Sequence, residues 1–215
     1  AGVGASAMGM DKVYMKQFFR GAGFPVLPST WFLRRAWEED RGRTMDQVEK
    51  LLPYPVFVKP ASLGSSIGVT KAKDRKGLED ALDLAFEFDR KVLVEQGLEE
   101  PLELNCSVLG YNGHAQASEI EMPISGGDLL TFAEKYLGGS SSAKGMASLK
   151  RVLPAPIEPE LREKIQKLSV DIFNDMDCKG VVRIDYLNDA KSDGLYITEI
   201  NTIPGSMAFY LGEAC

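Results

Sequence analysis

The chain has 215 residues, 44% of them hydrophobic and 26% charged, with a net charge of -6 and three cysteines. That length and apolar content fit one or two folded domains and exclude a disordered tail or a coiled-coil rod. The acidic balance argues against nucleic acid held by bulk electrostatics, no apolar run approaches the roughly 20 residues of a membrane-spanning helix, and the cysteine count fits a reduced, cytoplasmic chain.

The opening Ala1-Gly2-Val3-Gly4-Ala5 reads as loop, without an initiator Met, and Gly212-Glu213-Ala214-Cys215 follows directly on an apolar stretch. Both ends read as cuts through a longer protein. Asp11 to Arg20 reads as a helix, with Met10, Tyr14 and Phe18 recurring on one face and Gly21 and Gly23 ending it. Pro25 and Pro28 frame the entry to a strand at Thr30-Trp31-Phe32-Leu33, and the charged run from Trp37 to Arg43 reads as loop. Thr44 and Gln47 form a capping box for a short helix ending near Leu52. Val56-Phe57-Val58-Lys59 is a strand closed by Pro60, residues 61–68 are a loop of small side chains, and 68–72 is the returning strand. Asp74 caps a helix that places Leu78, Ala81, Leu82, Ala85 and Phe86 on one face, and Lys91 to Glu95 is a further strand.

Glu103 to Tyr111 and Ala115 to Glu121 flank Asn112-Gly113, a pair that favours a tight hairpin turn. Residues 123–150 show no period and hold Gly138-Gly139-Ser140-Ser141-Ser142, the composition of a functional loop. Pro159 opens a helix carrying Leu161, Ile165, Leu168 and Ile172, and a last hairpin joins 180–187 to 195–201. The elements predict an α+β chain divided into residues 1–100 and 101–215.

The last hairpin carries the densest chemistry. If its turn pairs Leu187 with Leu195, Arg183 lies opposite Glu199, and Arg183, Asp185, Glu199 and Asn201 share one face. Two carboxylates and an amide oxygen suit a hard divalent cation that also takes phosphates, and an adjacent Arg suits an anion. The alternative is an ordinary ion pair of Arg183 with Asp185 or Glu199. In Lys59-Pro60-Ala61-Ser62-Leu63-Gly64-Ser65-Ser66-Ile67-Gly68, backbone N–H groups and hydroxyls can cradle phosphates beneath a strand-end lysine, although the order is not that of a Walker A loop. The alternative is a plain Ser/Gly loop. Glu95 ends a strand before Gln96-Gly97-Leu98, where side chain and free backbone can read an adenine edge, and Glu103 can take ribose hydroxyls. The alternative is a solvated strand end in the run Glu99-Glu100-Pro101.

These residues, with Ser6-Ala7-Met8-Gly9-Met10-Asp11-Lys12, Glu134-Lys135-Tyr136 and Thr202-Ile203-Pro204-Gly205, together resemble the ATP-grasp superfamily, and within it the D-alanine–D-alanine ligases. The match runs nearly end to end. It implies two α+β subdomains, 1–100 and 101–215, that grip a nucleotide between antiparallel sheets, with the family's amino-terminal substrate domain absent. It implies ATP, Mg2+ or Mn2+, and D-alanine or a related amino acid as ligands, acylphosphate chemistry and a role in peptidoglycan precursor synthesis in the cytoplasm. Neither nucleic acid nor membrane is a partner, and a homodimer of the longer protein stays open.

By resemblance, Lys12, Lys59 and Lys135 are the phosphate lysines and Ser65 and Ser66 the flap over the phosphates. Tyr136 closes the site. Glu95 and the backbone of Leu98 contact adenine, and Glu103 the ribose. Asp185, Glu199 and Asn201 hold the metal, Arg183 stabilises the phosphoryl and tetrahedral species, and Gly205 donates to the oxyanion. One departure stands out: Tyr210 occupies the place of the serine that binds the second substrate's carboxylate. A ligase of different second-substrate specificity therefore stays open, and the reading of both ends as cuts keeps open a nucleotide-binding fragment that lacks the first substrate site and is inactive in ligation alone. Among the remaining residues, His114 reads as an exposed turn residue, Cys106 and Cys178 as buried thiols, Trp31 and Trp37 as packing, and Met8, Met10 and Met15 as core filler.

Overall fold

The structure, a computed structural model, describes residues 1–124, 151–189 and 191–205. It divides into two compact units, Met10–Glu99 and Ala1–Gly9 with Glu100–Cys215. The break thus falls beside residue 100, but the first nine residues group with the later unit. They are helical, not loop: α1 (Val3–Gly9) packs beside the last strand, where a Cβ on Gly9 would lie 2.9 Å from Thr202.

In the unit Met10–Glu99, α2 (Lys12–Gly21) is capped by Asp11, whose carboxylate accepts from the N–H groups of Val13 and Tyr14 at 2.9 and 3.2 Å. Its inward face is Val13, Met15, Lys16 and Phe19, whereas Met10 and Tyr14 of the expected stripe are exposed. Next come β1 (Ser29–Leu33), α3 (Arg34–Glu39) and α4 (Arg41–Leu51). The charged run read as loop is therefore mostly helix. Asp40, not Thr44, caps α4 by accepting from Arg43 N–H at 2.9 Å, and Thr44 is buried with its hydroxyl on Asp40 O. Trp37 decides the local fold: it is buried, stacks on Phe86 and donates to Asp83 at 2.9 Å. Then follow β2 (Val56–Pro60), β3 (Thr70–Ala72), α5 (Arg75–Phe88) and β4 (Lys91–Gln96).

The sheet order is β1-β4-β2-β3, all antiparallel. Strand alternation sends Val56, Val58, Val92 and Val94 to one face, against Leu78, Leu82 and Phe86 of α5 and Val48 of α4. The other face of β4 presents Lys91, Leu93 and Glu95 and is covered by α2, which is why every residue from Lys91 to Glu95 is buried.

The second unit holds β5 (Leu102–Tyr111), β6 (His114–Pro123), β7 (Arg151–Val152), α6 (Pro159–Asp175), β8 (Gly180–Asp189) and β9 (Gly194–Asn201). The sheet runs β7-β6-β5-β8-β9. Leu104, Cys106, Ile120, Val182, Ile184 and Tyr186 form its buried face, with Ile165 and Ile172 of α6. Ser169 of α6 and the Tyr186 hydroxyl meet at 2.7 Å inside this layer. Asn112 and Gly113 both take positive φ, as the tight turn requires, and His114 beside them is exposed. Cys106 and Cys178 are buried thiols not joined in a disulfide, and burial pushes the Cys178 thiol up to about 11. Met15 is core, but Met10 is exposed, and Trp31 lies largely at the surface. Among the described residues, no helix is long and apolar enough to cross a membrane.

Candidate active site

The two units present one polar sheet face each. In the unit Met10–Glu99 that face centres on Glu95, which is 1% exposed and held between two lysines. Lys16 of α2 donates to Oε1, and Lys59 at the end of β2 donates to Oε2 at 2.6 Å. Burial alone would push the Glu95 carboxyl up. The attraction of Lys16 and Lys59 outweighs it and holds the group below the usual carboxylate range. Burial likewise pulls Lys16 below the ordinary lysine value, opposed by Glu95. Phe57 pairs directly with Glu95 and with Lys71, and its ring lies 5.8 Å from Lys59 Nζ and 5.9 Å from Lys71 Nζ. The face therefore carries cations around one buried acid.

Lys12 roots the Ser/Gly loop. Its backbone N–H donates to Ala61 O at 2.8 Å and its Nζ to Leu63 O at 2.5 Å, while Ala61 N–H donates to Lys91 O. At the tip Ser65 and Ser66 both adopt left-handed backbone, φ 54° and 58°, a conformation side-chain-bearing residues avoid. Turns between Gly64 and Ile67 and between Ser66 and Val69 hold them there. Beyond Glu95, Gly97 N–H donates to Pro55 O at 2.8 Å, and a Cβ at Gly97 would meet the same oxygen at 2.8 Å. Only glycine brings the two segments so close, and this fixes the backbone leading into Leu98.

The second face lies on β5, β8 and β9. Asp185 pairs across the sheet with Asn105 on one side and Glu199 on the other, and Arg183 pairs with Ser107 and Asn201. The Arg183 guanidinium grips Asp185 through two bonds, Nε to Oδ1 at 2.7 Å and Nη2 to Oδ2 at 2.8 Å. Asn201 donates to Oδ2 at 3.0 Å, and Asn105, its amide nitrogen turned toward β8, donates to Oδ1 at 3.2 Å. Exposed Glu103 pairs with Leu187 on the same face. Glu199 is half-buried opposite Asp185.

The register differs from the expected one in an instructive way. Leu195 pairs with Asn188, not Leu187, a slip of one residue at the turn. A bulge between Asp185 and Tyr186 adds a second, so Arg183 faces Asn201 and Asp185 faces Glu199. One slip would turn every side chain of β9 over, and two restore the face. Thr198 at the bulge donates its hydroxyl to Asp185 O at 2.9 Å.

Lys12, Lys59, Ser65, Ser66, Glu95 and Leu98 thus lie in one unit, and Glu103, Arg183, Asp185, Glu199, Asn201 and exposed Gly205 in the other. Lys135, Tyr136 and Tyr210 lie outside the described residues. The sequence reading missed Lys16, Lys71 and Asn105. Among the described residues, no three His, Cys, Asp or Glu side chains gather as a metal centre. The hairpin set of two carboxylates and one amide oxygen is nonetheless all hard oxygen, the donor type that fits Mg2+ or Mn2+.

Residues 18–211 match the family model described as the D-ala D-ala ligase C-terminus. The chain belongs to this family. A D-alanine–D-alanine ligase of Acetivibrio thermocellus is 39% identical over 204 residues, which are 95% of this chain and 52% of that protein. One of Thermosipho africanus is 37% identical over 212 residues, covering 99% and 55%. Among solved structures, the VanG D-Ala:D-Ser ligase of Enterococcus faecalis superposes with a TM-score of 0.77 at 33% identity, over 94% of this chain and 55% of that one. D-alanyl-alanine synthetase A of Vibrio cholerae gives 0.77 at 25%, over 98% and 62%. The chain therefore spans about half the length of the curated family members it matches, and its fold is the α+β ATP-grasp fold of these ligases.

Proposed function

We propose that the protein is an ATP-dependent carboxylate–amine ligase that joins two D-alanines, or a closely related pair, for a cytoplasmic peptidoglycan precursor. The observation that carries this reading is family membership together with two prepared polar faces in one chain: the lysine-ringed Glu95 with its strained serine loop, and the Asp185–Glu199–Asn201 hairpin gripped by Arg183. A carboxylate is a poor acyl donor because oxide is its leaving group. The γ-phosphoryl group of ATP is transferred to a carboxylate oxygen of the first amino acid, giving an acylphosphate and ADP. The amine of the second attacks the acyl carbon, loses a proton, and expels inorganic phosphate.

The chain's part in this is placement and charge. Lys12 and Lys59 hold phosphate oxygens, with Lys135 as a third. Ser65 and Ser66 cover them with hydroxyls and backbone N–H groups. Glu95 and the Leu98 backbone orient adenine, and Glu103 the ribose. Asp185, Glu199 and Asn201 would hold Mg2+ or Mn2+, which neutralises phosphate charge when bound. Arg183 takes the negative charge of the phosphoryl and tetrahedral species, Gly205 N–H donates to the oxyanion, and Tyr136 helps to close the site against water.

Titration calorimetry of this chain with Mg-ATP, followed by ADP release from the full-length protein with a panel of D- and L-amino acids, tests the reading. Binding together with D-alanine-dependent ADP release is expected, and no Mg-ATP binding by folded protein overturns it. A second reading, a different second amino acid, is favoured by Tyr210 and by the likeness to a D-Ala:D-Ser ligase. ADP release faster with D-serine, or with another partner, than with D-alanine alone would select it.

A further inference from the structure

We propose that Lys16 is a positioning residue for the nucleotide: by holding Oε1 of Glu95 it keeps this acid an ionised, acceptor-only group and, through Oε2, fixes Lys59 at the end of β2. The proposal rests on the nucleotide reading of this face. Lys16 is 2% exposed, so its ammonium gains no solvation to compensate for its burial. It sits one helical turn beyond Lys12, on the α2 stripe with Val13 and Phe19 that packs toward β4. A lysine in that position has no use as packing that an aliphatic side chain would not serve better. Its placement makes sense as the counter-charge of the acid beneath it.

The arrangement divides the labour of the two carboxylate oxygens. Oε2 meets Lys59, which is more exposed than Lys16 and which the reading assigns to phosphate. Oε1 meets Lys16, which cannot reach solvent. An ionised carboxylate accepts only and can therefore take an amino N–H from a base edge. A protonated one presents an O–H in place of one acceptor. Among the described residues, the charged groups around Glu95 are Lys16 and Lys59, and Lys16 faces in addition Arg20 of its own helix. Lys71 stands on β3 beyond Phe57, and Lys91, two residues along β4, is paired with Asp11. Without Lys16 the buried acid keeps Lys59 as its one close cation among the described residues, and burial shifts it toward the neutral form.

Lys16→Met, Glu95→Gln and the double variant test this, with Mg-ATP as the probe in titration calorimetry and carboxyl carbon NMR of Glu95 as a readout free of nucleotide. Lys16→Met is expected to weaken Mg-ATP binding roughly 10- to 100-fold, the loss that follows when a hydrogen bond to a charged group goes. The weakening deepens as pH falls while the wild type stays flat, and Glu95 titrates at higher pH in the variant than in the wild type. Added to Glu95→Gln, the same change is expected to cost less than about twofold, because an amide needs no counter-charge. The double variant carries no unpaired acid and keeps the test open if the single variant folds poorly. Equal cost in both backgrounds, or a Lys16→Met protein that binds Mg-ATP as the wild type does with a flat pH profile, overturns the role of Lys16 alone. A folded wild type that binds no Mg-ATP overturns the nucleotide reading and this proposal with it.

Discussion

Asp185 and Glu199 face each other across β8 and β9, yet removing their charges should have unequal effects. Asp185 is the counter-ion of Arg183, whose side chain is 9% exposed, through bonds of 2.7 and 2.8 Å. Asp185→Asn leaves a buried guanidinium beside an amide that accepts through one oxygen only. Breaking a buried pair in this way costs about 3–5 kcal/mol. The Asp185 side chain is itself 22% exposed, and solvent offsets part of that cost, which sets the expected loss near the lower bound, about 3 kcal/mol. For a chain of 215 residues this lowers Tm by roughly 6–12 °C. Glu199 is half-buried and lies directly opposite a second carboxylate, an arrangement that is itself unfavourable. Glu199→Gln should therefore change stability by less than about 1 kcal/mol, or roughly 2–4 °C at most. Both variants should weaken Mn2+ binding, followed by paramagnetic relaxation in the presence of ATP. Thermal melts of the metal-free proteins separate the two effects. A Glu199→Gln protein that melts as low as Asp185→Asn would refute the argument, because Glu199 would then support the fold as strongly as the Arg183–Asp185 pair does.

Gly68→Ala should cost about 2–4 kcal/mol in chemical denaturation, since a side chain there combines a φ of +68° with 2.8 Å contacts to Pro60 and Phe88. The same substitution should disturb the serine loop and weaken Mg-ATP binding in calorimetry. Acid stability should carry the mark of Glu95. Its folded pKa is depressed, so its contribution is fully present above the unfolded carboxylate value of about 4.3 and is lost as pH falls through the folded value. Melts of wild type and Glu95→Gln between pH 3 and 7 should therefore converge at the acid end. Trp37→Phe removes the bond to Asp83 and part of a buried ring, and urea denaturation should show a loss of about 1–2 kcal/mol.

The α+β class and the hairpins were legible because they rest on local signals. Asn112-Gly113 can make few turns other than the one found, and the Leu78–Phe86 stripe has the period of a helix on a core. The failures have equally local causes. Asp40 was hidden inside a charged run, so a capping box at Thr44 looked stronger than the true cap one turn earlier. The opening glycines suggested loop, yet Val3–Gly9 is helical because tertiary packing against the last strand overrides weak propensity. The bulge in the last hairpin had a trace that strict alternation overlooks. The buried residues of β9 are Leu195, Ile197 and Ile200, a spacing of two and then three, which is where the strand changes phase.

The buried ion pair of the other unit follows the same logic one level up. An apolar stripe on α2 that leaves out lysines is Met10, Tyr14 and Phe18, of which Met10 and Tyr14 are exposed and Phe18 is half-buried. Allowing Lys16 onto the stripe with Val13 and Phe19 gives the face that is in fact buried. That choice carries an obligation, because an ammonium with no water requires an acid nearby. The four strands of this unit, Ser29–Leu33, Val56–Pro60, Thr70–Ala72 and Lys91–Gln96, contain one acidic residue, Glu95. Once the helix phase is right, the partner is determined. With the partner comes the reason why a glutamate can sit inside a sheet as an ion, and why Lys59 at the strand end is held beside it.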